Sequence, residues 1–119
     1  VQLFDTTQLA LEAAMHGTSQ RQTAIAQNIA NVNTPGYRRQ EVDFEGQLSA
    51  AMAADDRDAV RRTAIVQRTD ASAPVRIDGN SVDMDVEAAG QARNGLMYQA
   101  LVAVTKARTG IIQSAIGNR

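Results

Sequence analysis

Few residues in this chain could do covalent or metal chemistry. His16 is the only histidine, and there is no cysteine. Disulfide scaffolds and thiolate metal sites are therefore excluded. A lone histidine on a helix, with no cluster around it, reads as an ordinary surface or half-buried residue. Glycine-rich phosphate loops are absent. One acidic run has the composition of a calcium loop: Asp78, Asn80, Asp83, Asp85 and Glu87. Its spacing fails, because Gly79 stands at the second position where the sixth is needed, and Val82 takes a ligand position. The same residues suit a different chemistry, hydrogen bonding to the backbone. Asp78-Gly79-Asn80 is turn chemistry. Asp83 or Asp85 can cap a following helix, whose positive dipole end also favours Asp85 and Glu87. No enzyme activity and no cofactor is implied.

A second stretch has the same backbone-directed character: Asn28-Ile29-Ala30-Asn31-Val32-Asn33-Thr34-Pro35-Gly36-Tyr37. Asn33, Pro35 and Gly36 break helices or form turns. Thr34 precedes proline and is biased toward extended backbone. Gly36 can take a positive φ. Asn31 and Asn33 can bond local backbone groups. The stretch predicts a helix end, a sharp turn, and an extended segment that starts at Tyr37.

The elements that hold these stretches follow from periodicity. Residues 5 to 32 predict one helix, with Asp5, Thr6 and Thr7 as N-cap candidates. Alternating steps of four and three from Phe4 give Gln8, Leu11, Met15, Thr18, Gln22, Ile25, Ile29 and Val32, a heptad seam with a polar middle. A second face carries Ala10, Ala13, Ala14, Gly17, Ala24 and Ala30, small enough for close approach by a partner helix or a neighbouring subunit. Gly17 costs the helix about 1 kcal/mol relative to alanine; it permits either a close contact or a bend. After Tyr37, Arg38 and Arg39 stand beside Glu41, Asp43 and Glu45, either as a solvated strand or as a charge patch between subunits. Residues 46 to 78 have a weak pattern, which predicts a mobile or partner-ordered segment. A short helix over 47–54 and a short strand over 64–68 are its candidate elements. A C-terminal helix over 86 to 116 shows a seam of Met97, Leu101, Val104, Ile111 and Ala115, interrupted by Arg108. Leu96, Ala100, Ala103 and Ala107 flank it. Tyr98 either anchors a contact or covers the seam.

Composition narrows the class further. A chain of 119 residues with two Phe, two Tyr and no Trp can bury only a thin core. The charge is nearly balanced, 12 basic against 13 acidic residues, which argues against a nucleic-acid binder. Arg61, Arg62 and Arg68 form the only basic cluster, and acids stand close by. No apolar run approaches the ~20 residues of a membrane span, and no secretory signal pattern opens the sequence.

The string Asn-Ile-Ala-Asn-x-Asn-Thr-Pro-Gly-Tyr at 28–37 resembles the signature of the bacterial flagellar axial proteins, the family of rod, hook and hook-associated subunits. The run Asp-Gly-Asn-Ser-Val-Asp-Met-Asp-Val-Glu at 78–87, followed by Arg93-Asn94 and Tyr98-Gln99, is similar to the proximal-rod members of that family. The resemblance implies a mainly α fold. Two long terminal helices would pack as an antiparallel-type coiled coil, with an extended segment after Tyr37 and a poorly ordered middle. It implies one rod-protein domain over 1–119: helix 1–33, turn and extended segment 34–45, variable middle 46–81, helix 82–119. Asn28, Asn31, Asn33, Thr34, Pro35, Gly36, Tyr37, Asp78, Gly79, Asn80, Asp83, Asp85 and Tyr98 would carry the motifs and turns. Leu11, Met15, Ala24, Ile25, Ile29, Val32, Met97, Leu101, Ala103, Val104 and Ile111 would carry helix packing and subunit contacts. The implied partners are other rod subunits, the small rod adaptor, the MS-ring protein and the flagellar type III export apparatus. The implied place is the periplasmic rod of the basal body, reached without a cleaved signal. Another rod protein and a non-flagellar coiled-coil adaptor are the competing expectations.

Overall fold

The computed structural model describes residues 5–117. Phe4, first in the predicted seam, lies outside them. Helix α1 spans Thr6–Ala30, capped by Asp5, whose carboxylate accepts from the Gln8 N–H at 2.8 Å. Strand β1 spans Gln40–Asp43, helix α2 Glu45–Ala53, helix α3 Arg57–Arg61 and strand β2 Val66–Thr69. Helix α4 runs from Met84 to Gly117. Asp83, not Asp85, caps α4, accepting from the Asp85 N–H at 2.9 Å. The two strands pair antiparallel, Gln40 opposite Thr69 and Asp43 opposite Val66.

The two long helices pack together, and their contacts pair in opposite order along the chain. Asp5 meets Arg108, Met15 meets Thr105, Thr18 and Gln22 meet Asn94, and Asn28 meets Glu87. The molecule is correspondingly long, 66 × 25 × 15 Å.

The middle segment departs from the sequence expectation. It forms α2, α3 and β2, close to the short helix over 47–54 and the short strand over 64–68 expected there, and it adds Leu48, Ala51 and Val60 to the apolar core. Val42, Phe44, Leu48, Ala51 and Val60 are buried together against Ala10 and Ala24 of α1. The physical reason is a shape match at Gly17. A Cβ there would lie 2.5 Å from the Phe44 ring, so the missing side chain is the seat of the phenyl group. Gly17 therefore serves close contact. Arg21, one turn further along α1, lies over the ring with its guanidinium 4.9 Å from the centroid, and pairs with Glu45 at 2.6 Å. The small-residue face of α1 is thus largely occupied within the chain, with Ala24 only 1% exposed and Ala30 left open.

The α4 seam is also rearranged. Of the predicted positions, Leu101 is half-buried, whereas Met97, Ala103, Val104, Ile111 and Ala115 are exposed. Glu87, Asn94, Thr105 and Arg108 make the hydrogen bonds to α1 instead. Spacings of seven, eleven and three place them on one stripe of a helix with 3.6 residues per turn.

Candidate functional site: two interlocked turns on a polar helix seam

The two marked stretches of the sequence fold onto each other. Asn31 closes α1, its N–H bonded to the Gln27 carbonyl at 3.1 Å and its side-chain amide donating to the same oxygen at 2.8 Å. The chain then turns through Thr34, Pro35 and Gly36. Gly36 has φ +77° and Gly79 has φ +82°, conformations that glycine adopts without strain. These glycines face each other. The Gly36 N–H donates to the Asp78 carbonyl at 2.9 Å, and a Cβ on Gly79 would meet the Gly36 Cα at 3.2 Å.

Asn80 locks the two turns together. It is fully buried, and its amide donates to the Asn31 and Thr34 carbonyls, each at 2.8 Å. Its side-chain oxygen accepts from the Val82 N–H at 2.7 Å. The Asp78 carboxylate accepts from the Asn80 N–H at 3.0 Å. Arg76 adds a clamp, donating to the Val82 carbonyl at 2.9 Å and to the Val32 carbonyl. Buried polar groups are stable only when partnered, and here each turn supplies partners for the other.

One helical turn further back, Asn28 is fully buried and acts as a substitute strand. Its side chain accepts from the Gln40 N–H at 2.9 Å and donates to the Gln40 carbonyl at 2.8 Å. The Tyr37 hydroxyl donates to the same Asn28 oxygen at 3.2 Å, and the Asn28 amide also donates to Glu87 at 3.2 Å. Glu87, with no exposed side-chain surface, accepts from Arg39 Nε at 2.5 Å. Arg39 also reaches Asp70 at 2.7 Å. Burial works against the Arg39 charge, but Glu87 and then Asp70 outweigh it and raise its pKa. The Ser72 hydroxyl, helped by Arg39, holds the Asp70 carboxyl below its ordinary range. Burial, with Glu87 nearby, raises the Tyr37 phenol. This arrangement positions backbone; among the described residues, no three His, Cys, Asp or Glu are placed to hold a metal ion.

The motif residues thus divide. Asn28, Asn31, Thr34, Gly36, Tyr37, Asp78, Gly79 and Asn80 converge on this junction. Asn33 and Pro35 stay exposed at its tip, Asp83 and Asp85 stand at the α4 start, and Tyr98 lies further along α4. Of the packing residues, Ile25 is buried, and Leu11, Met15, Ile29 and Val32 are half-buried. Four residues central to the junction or seam had no such role expected from sequence: Arg39, Arg76, Glu87 and Asn94. The available signal was the polar middle of the α1 seam. Gln22 needs a polar partner, and Asn94 supplies it, donating to Gln22 Oε1 at 3.2 Å and to the Thr18 backbone carbonyl at 2.9 Å, while the Thr18 hydroxyl bonds back to the Met15 carbonyl.

Comparison with known proteins places this geometry. Residues 9–38, which include the whole asparagine-rich string, match the family described as "Flagella basal body rod protein". The chain is 32% identical over 125 residues to "Flagellar basal body rod protein FlgB" of Escherichia coli (strain K12), covering 87% of this chain and 90% of that protein. It is 35% identical to the Bacillus subtilis (strain 168) protein of the same name, covering 84% of each. The Borreliella burgdorferi protein of that name is 27% identical over 72% of this chain. Identity of this level over more than four-fifths of both chains shows that the chain belongs to the flagellar basal body rod protein FlgB family.

Proposed function

We infer that this chain is a structural subunit of the proximal part of the flagellar rod, joined to its neighbours by helix packing and passing torque outward from the membrane ring. The observation that carries this reading is the outer flank of α4. Leu96, Val104 and Ile111 are 48–70% exposed, and Ala100, Ala103 and Ala107 lie beside them on the same side of the helix. These residues form an apolar strip beside the polar seam that binds α1. A strip of this kind is a contact surface rather than a solvent face. Within a rod, neighbouring helices would cover it, and coiled-coil packing of the terminal helices would extend from one chain to the next. Torque would then spread over many parallel helix contacts. The neighbours proposed are other rod subunits, the small adaptor and the MS-ring protein, with delivery by the type III export apparatus. No described helix is long and apolar enough to cross a membrane.

The test is deletion of the gene in its source bacterium, with isolated basal bodies imaged. The expected outcome is rings without a rod, restored by the wild-type gene and not by Ile111→Glu. Complete flagella in the deletion strain would remove the rod assignment.

A further inference from the structure

Asn94 is the only asparagine in the chain that is followed by glycine. It is buried at the middle of the polar seam between α1 and α4. Its side-chain amide donates to the Thr18 carbonyl at 2.9 Å and to Gln22 Oε1 at 3.2 Å, while its Oδ1 is buried and accepts from no described group. The side chain is therefore held through its NH2 group alone. Gly95 has no packing reason to be glycine. A Cβ there would meet nothing within 4 Å, and glycine weakens a helix interior relative to alanine. What glycine offers is an unshielded backbone nitrogen on a chain that bends easily once it leaves the helix. An asparagine amide followed by such a nitrogen is an electrophile next to its nucleophile.

We propose that Asn94-Gly95 is a spontaneous deamidation site, shut while α4 is helical and paired with α1, and open when the pair separates. Water is the only co-reactant. The Gly95 nitrogen loses its proton to solvent base and bonds to the Asn94 side-chain carbonyl carbon. The bond from that carbon to the NH2 group then breaks, and the group takes up a proton and leaves as ammonia. Water opens the resulting five-membered imide at either carbonyl, giving aspartate or the isomer whose backbone runs through the side chain. Two restraints block the first step in the closed structure. A helix commits the Gly95 N–H to the carbonyl four residues back, that of Gln91. The bonds to Thr18 and Gln22 fix the Asn94 amide against α1. The product does not restore the seam. A carboxylate has no hydrogen to donate, so it faces the Thr18 carbonyl without a bond, and the isomer adds a backbone atom that breaks the helical repeat. The seam is thus a one-way gate: paired chains keep the amide, and chains held open lose it. This inference rests on the α1–α4 geometry and stands apart from the rod assignment.

The test incubates the full chain in mildly alkaline buffer, with and without denaturing urea, and follows every asparagine by peptide mass spectrometry for exchange of ammonia against water. In urea, Asn94 should convert ahead of all the others. In buffer it should convert more than about tenfold more slowly than in urea, because only the locally opened fraction reacts. Gln22→Ala deletes one of the two restraining bonds and should speed conversion in buffer by about two- to tenfold, the factor that one hydrogen bond carries. Gln47→Ala makes the same change on α2, away from the seam, and should leave the rate unaltered. Gly95→Ala should suppress conversion in both conditions. Asn94→Asp, one of the two products, should melt below the wild-type chain. Equal rates in buffer and urea, or a wild-type rate for Gln22→Ala, would overturn the gate. A wild-type melt for Asn94→Asp would overturn its one-way character.

Discussion

At the scale of single residues, Asn28 does the work of a missing strand. It satisfies both backbone groups of Gln40 and touches Tyr37 and Glu87 as well. Leaving a buried polar group without its partner costs about 1–3 kcal/mol. Asn28→Ala strands two such backbone groups, so a loss of roughly 2–5 kcal/mol is expected in denaturant melts. Asn28→Asp should be worse, because an acceptor then faces the Gln40 carbonyl and Glu87. An equal or milder effect for aspartate would show that the amide donor is unimportant. Charges at this scale also set an acid limit. Asp5 is held below its ordinary range by the Gln8 N–H and then Arg108. For Glu45, burial pushes the pKa up, but the bonds from Arg21 prevail and lower it. Asp70 is lowered by Ser72 and Arg39. A carboxylate with a depressed folded pKa binds protons more weakly when folded. Its stabilisation is present above the unfolded pKa of about 4 and is lost as pH falls below it. Thermal melts should be flat from pH 7 to 5 and fall below about pH 4, and Asp70→Asn should flatten that fall.

Elements show where sequence was readable and where it was not. The cap at Asp5, the end of α1 near Asn31, the positive φ of Gly36 and the start of α4 all rest on local rules, and local rules are legible in a string of residues. The middle segment was legible only in part: its short helix and strand were marked and exist as α2 and β2, but their packing depends on distant matches such as that between Gly17 and Phe44. Neither residue announces the other. The α4 seam was misplaced for a related reason. Periodicity scores apolar residues, and the true α1–α4 contact uses Glu87, Asn94, Thr105 and Arg108, which such a score counts as outward-facing. The fit at Gly17 is open to direct test. Gly17→Val would gain helix propensity of less than 1 kcal/mol yet drive methyl groups into the Phe44 ring, where overpacking costs about 1–3 kcal/mol. A net loss in thermal melts is expected. Gly17→Val combined with Phe44→Ala should cost less than the two single changes summed, and strict additivity would separate the two residues.

On the scale of the whole molecule, stability and assembly draw on different surfaces. The fold is held by the Phe44 cluster and by the polar junction. The exposed strip on α4 contributes little to either. Leu96→Glu and Ala103→Glu should therefore shift the melt of the free chain by no more than about 0.5 kcal/mol, while abolishing rod formation in basal-body images. A large drop in monomer stability would instead place these side chains in the fold. Ala24→Glu should behave oppositely and destabilise the free chain, since Ala24 lies in the core.

The interlocked turns also impose an order in time. Asn80 reaches Asn31 across 49 positions of chain, so the end of α1 waits for residues made much later. A ribosome or a narrow channel that releases the chain from its N-terminus would deliver α1 long before its lock. Contacts between distant positions form slowly because the intervening chain must first be closed into a loop. A chain halted before Asp78 would leave the Asn31 and Thr34 carbonyls without the Asn80 amide and the Gly36 N–H without its acceptor. The junction thus acts as a latch that closes only after the chain has emerged as far as Asn80 and Val82.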